Sequence, residues 1–457
     1  MDFRNKQKHR GAWKTRLGFY LAAIGSAFGL GNLWRFPYVV GENGGGAFVL
    51  LYVLLALLIG MPLLIGELML GKLTRQSIVS ASTSLNPKFK KYFAIISRSS
   101  IALSLFILAY YAVISGWVLH FLTQFIIGMF DPGILNQKAH MSVLSKNGWL
   151  QMALASVHLM ITVVIVLRGV QEGLEKWIGS VMPLFGVLLF LLLLKSLSLD
   201  TSQEAIRFLF YPDFSKLTLS SLGHAIGHVC FTLSVGFGTM VTFGSYMGDQ
   251  DHVPTAGFRV AVIDTVLSLV AASLIFPLAF QGIQSPVTDP ALLFETLPQF
   301  FMNMKVGIYF GIVFFSCLYL AALGASIGLL ETIVSNFVDR KNAVRSNAAW
   351  LSGFIALFLS TIPALSGSFF KSVKFFNKSL LELLDAILIN WCLPLIALAM
   401  SLMIIKGISA KDQKKMFIDD NKIESVILYP HWVKVMTWVV TAVIAIAMIL
   451  QVAHLFV

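Results

Sequence analysis

The sequence predicts an all-α integral membrane protein with eleven spans, and three observations carry that prediction. Hydrophobic residues make up 57% of the 457 residues and charged residues only 12%, with a mean hydropathy of +0.81. A typical soluble domain carries about twice that share of charge. Eleven separate apolar stretches each reach the roughly 17–25 residues a helix needs to cross hydrocarbon. Two of them, the first and the sixth, hold glycine clusters near their centres, where glycine weakens a helix and bares its backbone.

The first stretch, 14–39, contains AIGSAFGLGNLWRFP (23–37). The second (44–71), third (90–127), fourth (149–167) and fifth (175–197) follow without an interior glycine cluster of that kind. The sixth, 218–247, contains CFTLSVGFGTMVTF (230–243). The seventh, 256–282, holds one acid, Asp264, within AVIDTVLSLV (261–270). The eighth (304–337), ninth (347–364), tenth (380–405) and eleventh (432–456) complete the set. The longer stretches permit tilt or extension past the bilayer. In hydrocarbon an unpaired backbone group costs several kcal/mol, so a broken helix survives only where it lines a cavity. Breaks at corresponding places in two halves of a chain point to the binding site of a transporter.

Basic residues set the expected orientation. The segment RNKQKHRGAWKTR (4–16) is densely positive, and Lys72, Arg75, Lys88, Lys90, Lys91 and Arg98 fall between stretches two and three. Lys406, Lys411, Lys414 and Lys415 precede the eleventh. All three groups fall on one side, which predicts a cytoplasmic N-terminus, an external C-terminus and a multi-pass protein of the cell's inner (plasma) membrane. Lys371, Lys374 and Lys378 are then external, against the trend. The net charge of +12 suits a cytoplasmic face near anionic lipid better than nucleic acid. No cleavable signal is visible, because the first apolar run is too long and lacks a small-residue cleavage site. Cys230, Cys317 and Cys392 lie inside spans and read as small buried hydrophobes without metal spacing. No nucleophile–base pair or metal cluster appears in the spans, which argues against an enzyme.

GSAFGLGNLWRFPYVVGENGGGAF (25–48) resembles the first-helix signature of the neurotransmitter:sodium symporter family. FTLSVGFG (231–238) and AALGASIGLLE (321–331) resemble its sixth- and eighth-helix signatures. The resemblance covers nearly the whole chain and is strongest to the bacterial eleven-helix amino-acid transporters. It implies the LeuT-type fold in one transmembrane domain, 1–457. Two inverted repeats of five helices, about 14–197 and 218–405, would be followed by an extra helix at about 432–456. Helices one and six would be discontinuous, with substrate and sodium at the repeat interface. A monomer or loose dimer in lipid is expected.

A half-helix N-terminus suits a carboxylate, and unwound carbonyls suit an ammonium or Na⁺. By resemblance, the backbone at Leu30 and Gly31 and the Tyr111 hydroxyl hold the carboxylate of an amino acid. Carbonyls near Ala27, Phe231 and Thr232, with Ser234, meet its amine. Ser26, Ile107, Phe231, Phe237, Ala325 and Leu329 would line the side-chain pocket, which favours a neutral, hydrophobic or aromatic residue. Gly29 stands where monoamine-transporting relatives carry an acid, so amino acids are favoured over amines.

The first sodium site maps onto Ala27, Asn32, Thr232 and Asp264, completed by the substrate carboxylate. Chloride-dependent relatives balance charge there with an anion; the Asp264 carboxylate would replace it, so no chloride requirement is expected. An acid inside a span is functional by default. The second sodium site retains backbone ligands at Gly25, Phe28 and Ala321. Gly324 and Ala325 stand where the family offers two hydroxyls, so one Na⁺ is expected and a second only weakly. Ser326 lies about 100° round the helix from Ala325 and should point elsewhere. Arg35 and Asp385 match the outer gate, with Tyr111 and Phe237 as its lid. Arg10 and Asp339 match the inner latch, braced by Trp13 and Tyr246. Glu67 reads as structural, and His228, where relatives often place Gln, as a core histidine. The function implied is sodium-coupled import of a neutral amino acid by alternating access. A proton-coupled or sodium-independent transporter on the same fold is the first rival, and a non-cycling amino-acid sensor the second.

Overall fold

The protein is described here from a computed structural model covering residues 11–138, 140–282, 292–341, 343–375, 378–418 and 423–454. The first stretch forms two helices, α1 (Arg16–Ala27) and α2 (Phe36–Glu42), joined through a π-helical turn at Gly31–Arg35 and bent by 43°. Next come α3 (Gly46–Thr74), α4 (Pro87–Gly128), α5 (Gly148–Leu167) and α6 (Val170–Leu197). The sixth stretch is again two helices, α7 (Leu219–Thr232) and α8 (Thr239–Ser245). Then follow α9 (Val253–Gln281), α10 (Gly307–Arg340), α11 (Arg345–Leu365), α12 (Leu380–Gly407) and α13 (Val426–Ala453). Among the described residues nine helices are long and apolar enough to cross a bilayer, and the bent α1–α2 pair makes a tenth. The α7–α8 pair lies where the sequence places the remaining span. Helix six is shorter on either side of its break than hydropathy alone suggests, because six residues between Thr232 and Thr239 leave the helix.

Two ends differ from the hydropathy limits. The fifth helix begins at Val170 through a π turn that includes Glu172 and Glu175, and the last at Val426. Glu172 and Glu175 hide the first start from an apolar window, and Pro430 and His431, one turn in, hide the second.

The broken helices lie at the centre of the bundle. Phe28, Leu30, Asn32 and Leu33 are buried, as are Thr232 to Phe237. The long α10 packs along α4, and α1 packs on α10. The inner half of helix six meets α3 at backbone contact: a Cβ on Gly244 would lie 2.5 Å from the Leu68 carbonyl oxygen, and one on Gly71 would overlap the Val241 carbonyl. Small residues let helices in lipid approach this closely. α3 and α8 are thereby fused into one unit.

Candidate functional site

Both breaks obey the rule that buried backbone must find partners. At the first, the Gly29 N–H donates to Asn32 Oδ1 (3.1 Å) and the Leu30 N–H to the Tyr111 hydroxyl (2.7 Å). At the second, Ser234, Gly236 and Gly238 take positive φ of 51°, 87° and 78°. The Gly236 N–H donates to Glu67 Oε1 (2.6 Å), and the Ser100 hydroxyl donates to the Gly236 carbonyl (2.6 Å). The Ser104 hydroxyl caps the Phe237 carbonyl (2.8 Å). Ser234 joins the two breaks, its hydroxyl donating to the Ser26 carbonyl (3.1 Å).

Between the breaks lies a cavity of about 20 Å³, bounded by Ser26, Ala27, Gly29 and Gly31 from helix one and by Phe231, Ser234 and Phe237 from helix six. Ile107 and Tyr111 of α4 and Ala325 and Leu329 of α10 close it. That volume holds about one water, so an amino acid fits only after lining side chains move. Leu30 and Thr232 do not line it; Leu30 reaches the site through its N–H on Tyr111. Phe231 is half-buried at the end of α7, whereas Phe237 is buried and its carbonyl is anchored by Ser104. Both rings line the cavity and pack edge to face, their centroids 6.2 Å apart. A Cβ on Gly29 would overlap the Tyr111 hydroxyl and lie 3.0 Å from Ala325 Cβ.

Beside the cavity, the Asn32 amide donates to Asp264 Oδ1 (3.0 Å) and to the Ser268 hydroxyl (2.7 Å). The Tyr52 and Ser268 hydroxyls are 3.0 Å apart. Asp264 is fully buried, and its Oδ2 has no hydrogen-bond partner among the described residues. Thr232 lies within the same core, its hydroxyl 3.4 Å from the Val229 carbonyl. An open carboxylate oxygen in a water-poor site is a ligand ready for a hard cation. Gly25, Phe28 and Ala321 are also buried; the Phe28 ring lies tilted against Phe185 at 5.0 Å, and the Ser326 hydroxyl of α10 is 2.8 Å from His158 Nε2.

Away from the N-terminal side, Arg35 is 2% exposed. Its Nε is 3.4 Å from Asp385 Oδ1, and its Nη2 donates to Asn390 Oδ1 (2.8 Å). The Tyr110 and Tyr38 hydroxyls also donate to Asp385, at 2.8 and 3.2 Å. His228 Nδ1 lies 3.4 Å from Arg35 Nη1, and its ring stacks on Phe36. Beyond this cluster opens a cavity of about 510 Å³, lined by Trp34, Glu42, His224 and Glu382 among others. On the N-terminal side, the Trp13 indole donates to the Phe243 carbonyl (3.1 Å) and the Trp13 backbone N–H to the Tyr246 carbonyl (3.1 Å). The Tyr246 hydroxyl donates to Glu331 (2.7 Å), which pairs with Arg345. Asp339 accepts from the Ser77 N–H at 2.7 Å. Arg10 lies outside the described residues.

A family model described as the sodium:neurotransmitter symporter family matches residues 10–132 and 126–456. The chain belongs to that family. The sodium-dependent transporter YhdH of Bacillus subtilis is 33% identical over 404 residues, 88% of each chain. A sodium-dependent transporter of Haemophilus influenzae is 29% identical over 459 residues, covering 98% of this chain and 99% of its own. The crystal structure of MhsT in complex with L-phenylalanine superposes with a TM-score of 0.88 at 33% identity, over 97% of this chain and all of that one. This symporter is thus a multi-pass membrane protein with the LeuT-type fold, dependent on sodium and not an enzyme.

The symporter's structure also brings in residues that sequence reasoning left out. Ser268 is one helical turn from Asp264, on the same face. Glu331 is an acid inside an apolar span, and the rule that singles out Asp264 singles it out equally. Tyr38 and Tyr110 on Asp385, Asn390 on Arg35, and Ser100 and Ser104 at the second break carry no local pattern that would have marked them.

Proposed function

We propose that the protein imports a neutral, hydrophobic or aromatic L-amino acid with sodium, by alternating access and without chloride. The observation that carries this reading is the cavity between the two breaks. At one wall the Leu30 N–H donates to the Tyr111 hydroxyl (2.7 Å), a pair of groups that would both turn to a carboxylate. On the other walls stand Ile107, Phe231, Phe237, Ala325 and Leu329. Gly29 leaves no acid to hold a bare amine. The L-phenylalanine bound to MhsT supports the same class of substrate.

Sodium would sit against the open Asp264 Oδ2, with the Ala27 carbonyl, Asn32 and Thr232, and the substrate carboxylate would complete its shell. The fixed Asp264 charge beside Asn32, Ser268 and Tyr52 does the work of a bound anion. A second sodium would have only the Gly25, Phe28 and Ala321 carbonyls. The repeats, about 14–197 and 218–405, would move against each other, with the Arg35–Asp385 cluster closing the outer side. The Trp13–Tyr246 contact closes the cytoplasmic side, where the N-terminus lies.

The test is uptake of labelled amino acids into proteoliposomes with and without an inward sodium gradient. Accumulation of phenylalanine, leucine or tryptophan only with the gradient is expected. Accumulation driven equally by a proton gradient without sodium would replace this reading with proton coupling. Preference for a decarboxylated amine would overturn the substrate class.

A further inference from the structure

Gly324 and Gly328 stand one turn apart on α10, and both face α1. A Cβ on Gly324 would lie 2.5 Å from the Gly25 carbonyl oxygen, with Gly25 C at 3.3 Å and its Cα at 3.7 Å. A Cβ on Gly328 would overlap the Ser26 hydroxyl. Ala321, one turn earlier on the same face, is fully buried. This glycine-xxx-glycine spacing is how helices in lipid reach backbone contact. The neighbouring side chains turn elsewhere. Ala325 faces the amino-acid cavity, and the Ser326 hydroxyl lies 2.8 Å from His158 Nε2. Positions 324 to 326 and 328 of α10 therefore turn no side-chain oxygen to the Gly25 and Phe28 carbonyls, and the Gly25 carbonyl lies where a Cβ at 324 would sit.

The same distances rule out a simple repair. Threonine at 324 places its Cβ against a backbone oxygen, which cannot swing aside as a flexible side chain would. The missing hydroxyls are therefore part of a different contact, in which the helices have closed on each other.

We infer that the protein couples to a single sodium ion, and that the Gly324–Gly328 seam does the holding that a second cation would do between α1 and α10. This rests on the reading of sodium-coupled symport. The inner half of helix one is then held by direct van der Waals contact, independent of sodium. Opening toward the cytoplasm parts two helix surfaces without releasing an ion from between them.

Two measurements on the full chain test this. The first is the rate at which a thiol reagent modifies Ser335→Cys, read by peptide mass. Ser335 lies on α10 beyond the cavity on the N-terminal side, buried against Thr242 (3.5 Å). The rate is expected to stay low when sodium is withdrawn, and to rise several-fold when Gly324→Ala is added, with or without sodium. The second is binding of a labelled amino acid against sodium concentration, where a Hill coefficient near one is expected. A coefficient near two overturns the inference, as does labelling that sodium withdrawal accelerates or that Gly324→Ala leaves unchanged. If Gly324→Ala does not accumulate, the sodium-withdrawal and titration arms still decide. Binding that needs no sodium at all would overturn the symport reading instead, and the labelling arms would then judge the seam alone.

Discussion

Replacing Tyr111 with phenylalanine removes one hydroxyl from the point where a carboxylate is expected. A hydrogen bond to a charged group contributes about 1.5–3 kcal/mol, which would suggest a loss of affinity of tenfold to more than a hundredfold. The structure lowers that figure. Without substrate, the Tyr111 hydroxyl accepts from the Leu30 N–H at 2.7 Å, so the substitution also costs the free protein a neutral bond of about 0.5–1.5 kcal/mol. When substrate arrives, the Leu30 N–H regains a partner in the carboxylate. Only the difference appears in binding, about 1–1.5 kcal/mol, or roughly five- to tenfold in Kd. Equilibrium binding of labelled phenylalanine at saturating sodium measures it. An unchanged Kd would show that the hydroxyl does not touch the carboxylate. A loss well beyond a hundredfold would show that the free-state bond offsets nothing.

Three further outcomes follow from the same geometry. Uptake by the natural protein should be indifferent to exchange of chloride for gluconate, and Asp264→Ser should make uptake chloride-dependent; full chloride-independent transport in that variant would remove Asp264 from the charge balance. Gly29→Ala should abolish high-affinity binding while leaving expression intact, because its Cβ falls on the Tyr111 hydroxyl, and unchanged binding would show that the cavity reshapes freely. Arg345→Ala should strand the fully buried Glu331 and lower stability by about 3 kcal/mol or more, read as a drop in melting temperature in detergent, whereas an unshifted melting curve would mean that Glu331 is not charged there.

The two breaks were legible because a glycine cluster inside an apolar run bares backbone that hydrocarbon tolerates only beside a cavity. The cavity's walls from helices one, six and eight lie within the three motifs, whereas Ile107 and Tyr111 of the third helix are reached only through the family resemblance. What stayed hidden depends on register between distant helices. Gly324 and Ala325 are visible in the sequence as missing hydroxyls, but not that Gly324 presses on the Gly25 carbonyl, since nothing local encodes how α10 faces α1. Arg10, the expected partner of Asp339, lies outside the described residues; the Glu331–Arg345 ion pair beside Tyr246 is a further contact on that side, which through Tyr246 joins distant parts of the chain.

The Glu67–Gly236 bond also orders events at the ribosome. Chains enter the membrane from the N-terminus onward, and an acid at the centre of an inserting helix costs about 2.5–3.5 kcal/mol on translocon scales. Glu67 arrives with the second helix, yet the backbone N–H it accepts from is synthesised 169 residues later. Ser100 and Ser104 wait for the same loop. The first five helices thus cross the bilayer as an unfinished half, with a carboxyl and two hydroxyls not yet on their final partners. Assembly of the first half is completed by the centre of helix six, so the residues that will later form the transport site also serve as the keystone of biogenesis.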